Sequence, residues 1–395
     1  MSTAQRTLEL DDLGFDRGAH VLAERAARSL AAGDALELRG TAPDLALHVA
    51  AWARARGHEV RSSSPASIVV RIGAASGARE RGAERAGALD EPCAHPPLHW
   101  GLAARGALVE QGSPEFDFRL SERDELWFAD AATLYRAALA AQWDPERAIP
   151  WNAALNDSEV LEDALVQVLS YLIENETAAL LVPARFASQT HPHFREIVQL
   201  LAIQTADEAK HIEVFTRRAG LRRRELALST AGGQASLKTL VDEPDFARAA
   251  LLLSVMGEGT FTNLLHFLRE HAPDACTAEI MRLAAADEAR HVAFAMSHLA
   301  EHAQRDPTLL ARLASAIRER HDALRATAGL NAEVFDALIV LAAGSLEPDA
   351  IARGHAAVVE LLAQMDAGRK LRLRRLGFGA RDAEELSALH TRNFM

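Results

Sequence analysis

Asp207-Glu208-Ala209-Lys210-His211 and Asp287-Glu288-Ala289-Arg290-His291 are two copies of one pattern, and their reading decides the fold. In each, Glu and His stand three residues apart. On a helix both side chains then share a face about one turn apart, and a single ion can accept both. A further glutamate precedes each copy within an apolar stretch of helical spacing: Glu176 lies 32 residues before Glu208, and Glu258 lies 30 before Glu288. Two half-helices and a reversal fit such an interval, and turns are visible at Thr190-His191-Pro192 and Ala272-Pro273-Asp274. Up-down pairing brings each upstream glutamate level with its Glu-x-x-His partner. Two such hairpins face to face gather four carboxylates and two imidazoles, the donor set of a carboxylate-bridged dimetal centre in a four-helix bundle.

The upstream member of the first pair is read as Glu176. Leu161, Leu165, Val168, Leu169, Leu172, Ala179 and Leu180 form a stripe at helical spacing, and Glu176 falls on it. An ionised carboxylate on an apolar stripe is costly unless it is paired or metal-bound. Glu174 falls nearer Ser170 and Glu162, a more polar face, and is held in reserve. Glu258 sits among Leu251, Ser254, Val255, Phe261, Thr262 and Leu265. One Glu-x-x-His arises by chance in many long helical chains. Two, each preceded by Asp and each trailing a glutamate on an apolar face, do not. The expected metal ligands are therefore Glu176, Glu208, His211, Glu258, Glu288 and His291. Asp207 and Asp287 are either partners for the second ring N–H of the histidines or ordinary surface aspartates.

Bulk composition agrees with a helical protein. Of the 395 residues 49% are apolar and only 5% aromatic, and Ala, Leu and Arg are abundant; these lose little side-chain freedom in a helix. A formal charge of −12 excludes a general nucleic-acid partner. One basic cluster, Arg369, Lys370, Arg372, Arg374 and Arg375, is read as a solvated face or helix end. No run of eighteen apolar residues and no signal-peptide core is evident, so a cytoplasmic protein without a membrane partner is expected. Cys93 and Cys276 form no motif.

Along the chain, 1–75 reads as a small α+β domain, with strands at Thr7–Leu10, Ala35–Leu38, Val60–Ser62 and Ile68–Ile72 and helices at Ala19–Leu30 and Pro43–Ala55. Residues 76–125 read as linker and irregular surface, rich in Gly, Ala, Arg and Glu, with Pro92, Pro96 and Pro97. Helical periodicity covers 126–304, interrupted near 143–156, 188–194, 230–244 and 271–276, and 305–395 adds further amphipathic helices. These last pack on the bundle or across a homodimer.

The N-terminal order Leu10-Asp11-x-x-Gly14-Phe15, Ala32-Gly33-Asp34 and Trp52-Ala53-Arg54-x-x-Gly57-His58-Glu59-Val60 resembles the TusA-like family of small sulfur-carrier proteins. The Cys-Pro-x-Pro motif of that family falls here on Arg17, Gly18, Ala19 and His20, so the nucleophilic thiolate is absent. The resemblance then implies a docking or structural appendage.

Residues 157–302 resemble the ferritin-like di-iron carboxylate superfamily, and the fold expected is a ferritin-like four-helix bundle with additional helices behind a small α+β domain. Departures narrow the field. Phe261 stands where rubrerythrins carry an extra glutamate, Phe215 where ribonucleotide reductase small subunits keep a radical tyrosine, and Ala284 where arylamine N-oxygenases add a histidine. The resemblance implies two iron ions, with Mn/Fe possible, that activate dioxygen to oxidise a small organic substrate. An external electron donor is implied as well. Thr262 matches the position where bacterial multicomponent monooxygenases keep a threonine beside the oxygen-binding face; a core threonine bonding its own helix is the alternative. Phe215, Phe261 and Met256 are candidate pocket walls. Two other functions stay open: ferritin- or rubrerythrin-like iron or peroxide detoxification, and a non-enzymatic helical binding module whose Glu/His clusters are buried salt-bridge networks.

Overall fold

The computed structural model describes residues 4–74, 82–223, 225–325 and 332–390, and the chain divides into two compact units. Met1–Ala88 with Ala103–Pro114 forms the first, and Leu89–Leu102 with Glu115–Met395 the second.

The first unit runs β1 (Gln5–Glu9), α1 (Ala19–Arg28), β2 (Ala35–Arg39), α2 (Leu45–Ala55), β3 (Glu59–Ser64) and β4 (Ser67–Arg71). The sheet order is β1-β2-β4-β3, with β1 and β2 parallel and the other neighbours antiparallel. The α1 crossover makes the parallel pair possible, whereas β3 and β4 are close enough in sequence to join as a hairpin. Leu36, Leu38, Ile68 and Val70 share a core with Ala23, Ala27, Leu45 and Val49 of the two helices. Every strand and helix read from this stretch is present, its ends moved by one or two residues. The described part of 76–125 is largely irregular: the first unit takes a two-residue ladder, β5 (Glu84–Arg85) with β6 (Leu108–Val109).

The second unit is helical throughout its described regular structure. Short α3 (Arg123–Leu126), α4 (Ala131–Ala140) and α5 (Pro145–Ala148) lead to the long α6 (Glu159–Gln189) and α7 (Arg195–Gly220). Then follow α8 (Ala231–Val241), α9 (Phe246–Ala250), a π-helical stretch Leu251–Glu258, α10 (Gly259–Glu270) and α11 (Ala275–Arg305). The chain ends in α12 (Leu309–Leu324), α13 (Ala332–Ala343), α14 (Pro348–Leu376) and α15 (Ala380–Ala388). Caps fix the ends of the long helices: Ser158 Oγ accepts from the Leu161 N–H at 3.4 Å, and Asp274 accepts from the Thr277 N–H at 2.8 Å. Helix α6 packs on α7, and α10 with the π stretch packs on α11. Both turns proposed from the sequence are where the chain reverses. The C-terminal helices lie on the bundle, α13 against α6 and α14 against α13, α10 and the π stretch.

Three expectations need correction. The break expected at 230–244 is mostly the helix α8, capped by Thr230; its buried Gly232 and Gly233 weaken intrinsic propensity, and packing on α6 outweighs that. The face of α6 carrying Glu162 and Ser170 is buried rather than polar and open. Ser170 Oγ bonds the Val166 carbonyl at 2.7 Å and accepts from the Ala227 N–H at 2.8 Å. The basic run on α14 is not wholly a solvated face: Arg369 is buried beside Ser387, and Arg372 turns inward to the π stretch. Helix α6 is long and apolar enough by composition to cross a membrane, and 67% of its most apolar window is buried inside the protein.

Candidate metal centre

All six residues expected to bind metal converge inside the second unit, each 4% exposed or less. Glu176 comes from α6, Glu208 and His211 from α7, Glu258 from the end of the π stretch, and Glu288 and His291 from α11. His211 Nδ1 lies 3.2 Å from Glu208 Oε2, 3.4 Å from Glu288 Oε1 and 3.6 Å from Glu176 Oε2. His291 Nδ1 lies 3.0 Å from Glu208 Oε1 and 3.4 Å from Glu288 Oε2. Two donor groups result, Glu176–Glu208–His211–Glu288 and Glu208–Glu258–Glu288–His291, each with its atoms within 4.8 Å of one another. Glu208 and Glu288 belong to both. Each group has one glutamate of its own and one histidine, so the cluster has approximate two-fold symmetry. Glu174 is half-buried and belongs to neither group. Nor do the cysteines: burial pushes the Cys276 thiol up to about 11, which makes it a poor thiolate.

The aspartates of the two pentapeptides cross over. His211 Nε2 faces Asp287 Oδ2 at 3.1 Å, and His291 Nε2 faces Asp207 Oδ2 at 3.3 Å. Each motif thus orients the histidine of the other. An Nε2–H donating to aspartate leaves the Nδ1 lone pair aimed at the glutamates, the tautomer a metal ligand requires. The aspartates are themselves held. Lys210 Nζ lies 2.9 Å from Asp207 and 3.3 Å from Asp287, and Arg290 contacts both. Gln142 Nε2 donates to Asp207 at 2.7 Å, and Trp143 Nε1 donates to Asp287 at 2.8 Å. The Trp143 ring also stacks near His211 and lies under Lys210 Nζ. The sequence marks 143–156 as a break in helical periodicity, and these bonds were not legible there. Sequence reasoning also passed over the basic residue that stands fourth in both pentapeptides, which was the available signal for Lys210 and Arg290.

The charge state follows from crowding. Burial and the carboxylates of Glu208 and Glu288 push Glu176 well above the ordinary range. Burial and Glu288 do the same to Glu258. Burial works against charged imidazoles, yet Glu176 at His211 and Glu208 at His291 outweigh it and hold both histidines well above their ordinary value. By themselves Glu176, Glu258 and the two histidines therefore hold their protons more tightly, and cations would displace those protons.

Glu258 is presented by an eight-residue π stretch that is buried along its whole length. The apolar periodicity of 251–265 gave no warning of it, because an inserted π turn leaves composition unchanged. Arg372 Nε donates to the Val255 carbonyl at 2.7 Å, and its guanidinium occupies the space a Cβ at Gly259 would need. Gln204 Nε2 donates to Glu258 Oε1 at 3.0 Å, and Ser254 also bonds Glu258. Thr262 Oγ1 donates to the Glu258 carbonyl at 2.9 Å, so its hydroxyl is engaged by its own helix. Phe215 lies 6.2 Å from the His211 ring, Phe261 is in the main core, and Met256 lines a small cavity with Arg320 and His321.

No protein-family model and no curated protein matches the chain. Among solved structures it is similar to forms of an R2-like ligand-binding oxidase. A point variant with an aerobically reconstituted Mn/Fe cofactor is 17% identical over 63% of this chain and 94% of that one, with a TM-score of 0.49. A long-soak form with the same cofactor is 16% identical over 67% and 94%, with a TM-score of 0.45. A form described after photoconversion is 19% identical over 63% and 94%, with a TM-score of 0.43.

Proposed function

We propose that the chain holds two iron or manganese ions at the Glu/His cluster and is a dimetal carboxylate oxidase, using dioxygen on a small organic substrate. One observation carries this reading. Glu176 Oε1, Glu208 Oε1, Glu258 Oε2, both oxygens of Glu288 and Nδ1 of His291 are buried without a hydrogen-bond partner, and all belong to the two donor groups. His291 Nδ1 lies near Glu208, but not in hydrogen-bonding geometry. Buried carboxylate oxygens left unmatched cost several kcal/mol each in general, so the arrangement fits divalent cations. Among the described residues no Lys or Arg pairs with any of the four glutamates, which disfavours a salt-bridge network. Carboxylate and imidazole donors without thiolate suit iron and manganese, in an Fe/Fe or Mn/Fe pair.

Glu208 and Glu288, common to both donor groups, would be shared by the two ions in this reading, and Glu176 with His211 and Glu258 with His291 would each help hold one. Bound there with open coordination positions, the ions would supply dioxygen reduction and substrate oxidation. The protein's own part is orientation and exclusion of water. Asp287 and Asp207 hold the Nε2 protons, Lys210 and Arg290 balance the two aspartates, and Trp143 and Phe215 cover His211 with apolar surface. Electrons come from a separate donor or from the substrate.

The N-terminal unit fits a TusA-like module that has lost its chemistry. Its β-α-β-α-β-β order is a compact carrier-sized fold, and Gly18, at the second position of the missing Cys-Pro-x-Pro, has φ 110. Proline is confined to φ near −65°, so the motif does not fit this backbone.

The test is anaerobic reconstitution of the full chain with iron(II), alone or with manganese(II), followed by metal analysis and absorbance on exposure to oxygen. Two ions per chain and an oxygen-dependent spectral change are expected. Fewer than one ion per chain sinks the reading, and fast iron(II) turnover without organic substrate redirects it to iron or peroxide handling.

A further inference from the structure

One cavity lies apart from the Glu/His cluster. It is a cleft of about 360 Å³ lined by Arg119, Arg185, Asp245, Phe246, His302 and Arg312 among others. Three arginines stand there against two carboxylates, Glu125 and Asp245. Arg185 gives its terminal nitrogens to the carbonyls of Val241 and Glu243, and its Nε has no partner. Among the described residues no carboxylate pairs with it. Arg312 reaches Asp245 at 3.1 Å and Asp306 at 3.2 Å, and its Nε is also unmatched. His302, 4% exposed, lines the same cleft with Nδ1 unpartnered. Arginine N–H groups left without acceptors on side chains that line a cavity favour an anion there, because the unmade bond carries a desolvation cost.

Phe246 also lines a second cavity, narrow and about 20 Å³, whose walls include Val182, Phe186, Leu253 and Phe294. Gln204 and Ser254 line that inner cavity too, and they are the two residues that bond Glu258. A cationic outer cleft, one aromatic side chain and an apolar inner space therefore follow one another toward the cluster.

We propose that this cleft is the substrate entrance. It takes a small molecule with one carboxylate or phosphate head, held by Arg185 and Arg312, and an unbranched apolar tail that passes Phe246 toward Glu258. The inner space, about 20 Å³, leaves no room for a ring. This rests on the dimetal reading only for what happens to the tail; the head-group site stands without metal.

The experiment is isothermal titration of the metal-free full chain with hexanoate, hexyl phosphate, acetate and 1-hexanol. At least one six-carbon anion is expected to bind tenfold or more tightly than hexanol, and the tighter of the two names the head group. Arg185→Gln removes that preference, and Phe246→Trp narrows the gap between hexanoate and acetate. Hexanol binding as tightly as both anions, or no anion binding at all, overturns the proposal; so does a preference that survives both Arg185→Gln and Arg312→Gln. If Arg185→Gln does not fold, the comparison of anion with alcohol on the unaltered chain decides. Because metal is absent throughout, a failure here is separate from a failure to load iron or manganese.

Discussion

Two clusters of charge are buried in the same helical unit, and they differ in how their bonds close. Around Arg218, fully buried on α7, every strong group is answered. Glu162 takes two bonds at 2.8 and 3.0 Å, Asp274 takes one at 2.6 Å, and Thr277 Oγ1 accepts another at 2.8 Å. Burial alone would lower the Arg218 value, but Glu162 and Asp274 raise it above the ordinary guanidinium range. The Glu/His cluster has four carboxylates, no arginine or lysine on any of them among the described residues, and buried oxygens without partners. One cluster is complete with protein groups alone and ties α6, α7 and α11 together. The other leaves acceptors unmatched that cations would satisfy. Buried acidic residues are thus no sign of a metal site by themselves; unmet valence is.

The largest effect should come from supplying the missing cations. At a thousandfold excess over its dissociation constant, each bound ion adds about 4 kcal/mol to unfolding stability. Chemical denaturation with and without manganese(II) or iron(II), reversed by a chelator, measures this. The two donor groups share Glu208 but not Glu176, so Glu208→Ala should lose both ions and Glu176→Ala only one. Equal stoichiometry in the two variants would remove the bridging assignment.

Breaking the closed cluster should cost nearly as much and leave metal untouched. Arg218→Met strands Glu162 and Asp274 in the interior, and loss of one partner from a buried pair costs about 3–5 kcal/mol. Denaturation midpoints read the loss, and metal analysis should still find the wild-type content. A variant as stable as the parent would show that the Arg218 network is not the closed structural element described.

A buried histidine outside both clusters gives a smaller, pH-gated effect. His298 Nε2 donates to the Glu125 carbonyl at 2.7 Å, and burial pushes its value from 6.5 down to about 4. The unfolded chain takes up this proton first as pH falls, so stability is full above pH 6.5 and is lost toward pH 4. The loss totals roughly 3 kcal/mol, because each pH unit between the unfolded and folded values is worth about 1.4 kcal/mol. His298→Gln should flatten that part of the pH profile, and an unchanged slope would mean another group causes it.

The smallest effect is expected at Thr262. Its hydroxyl already bonds the Glu258 carbonyl, so Thr262→Val should cost about 1 kcal/mol or less and leave metal content and oxygen reactivity intact. A tenfold slower reaction with oxygen at full metal content, about 1.4 kcal/mol of barrier, would return that hydroxyl to the chemistry.

The apolar stripe of α6 was enough to put Glu176 rather than Glu174 on the face turned to the pentapeptides, because helical period ties sequence spacing to a face. The same reasoning misjudged Glu162 and Ser170. A polar residue on a helix looks solvated until its partner is known, and Arg218 lies 56 residues away. The π stretch, the inward turn of Arg372 and the Gln142–Trp143 contacts were illegible for a related reason: each depends on a helix from another part of the chain.

Sequence by itself determined that the second unit is helical, which six acidic and imidazole groups share its interior, and that four carboxylates would meet there. Those properties follow from short-range periodicity and from the cost of burying charge. Tertiary structure alone decided which glutamates are common to both donor groups, that each aspartate serves the opposite histidine, and which buried charges are already satisfied. Such pairings depend on distances between segments far apart in the chain, and no local rule fixes them.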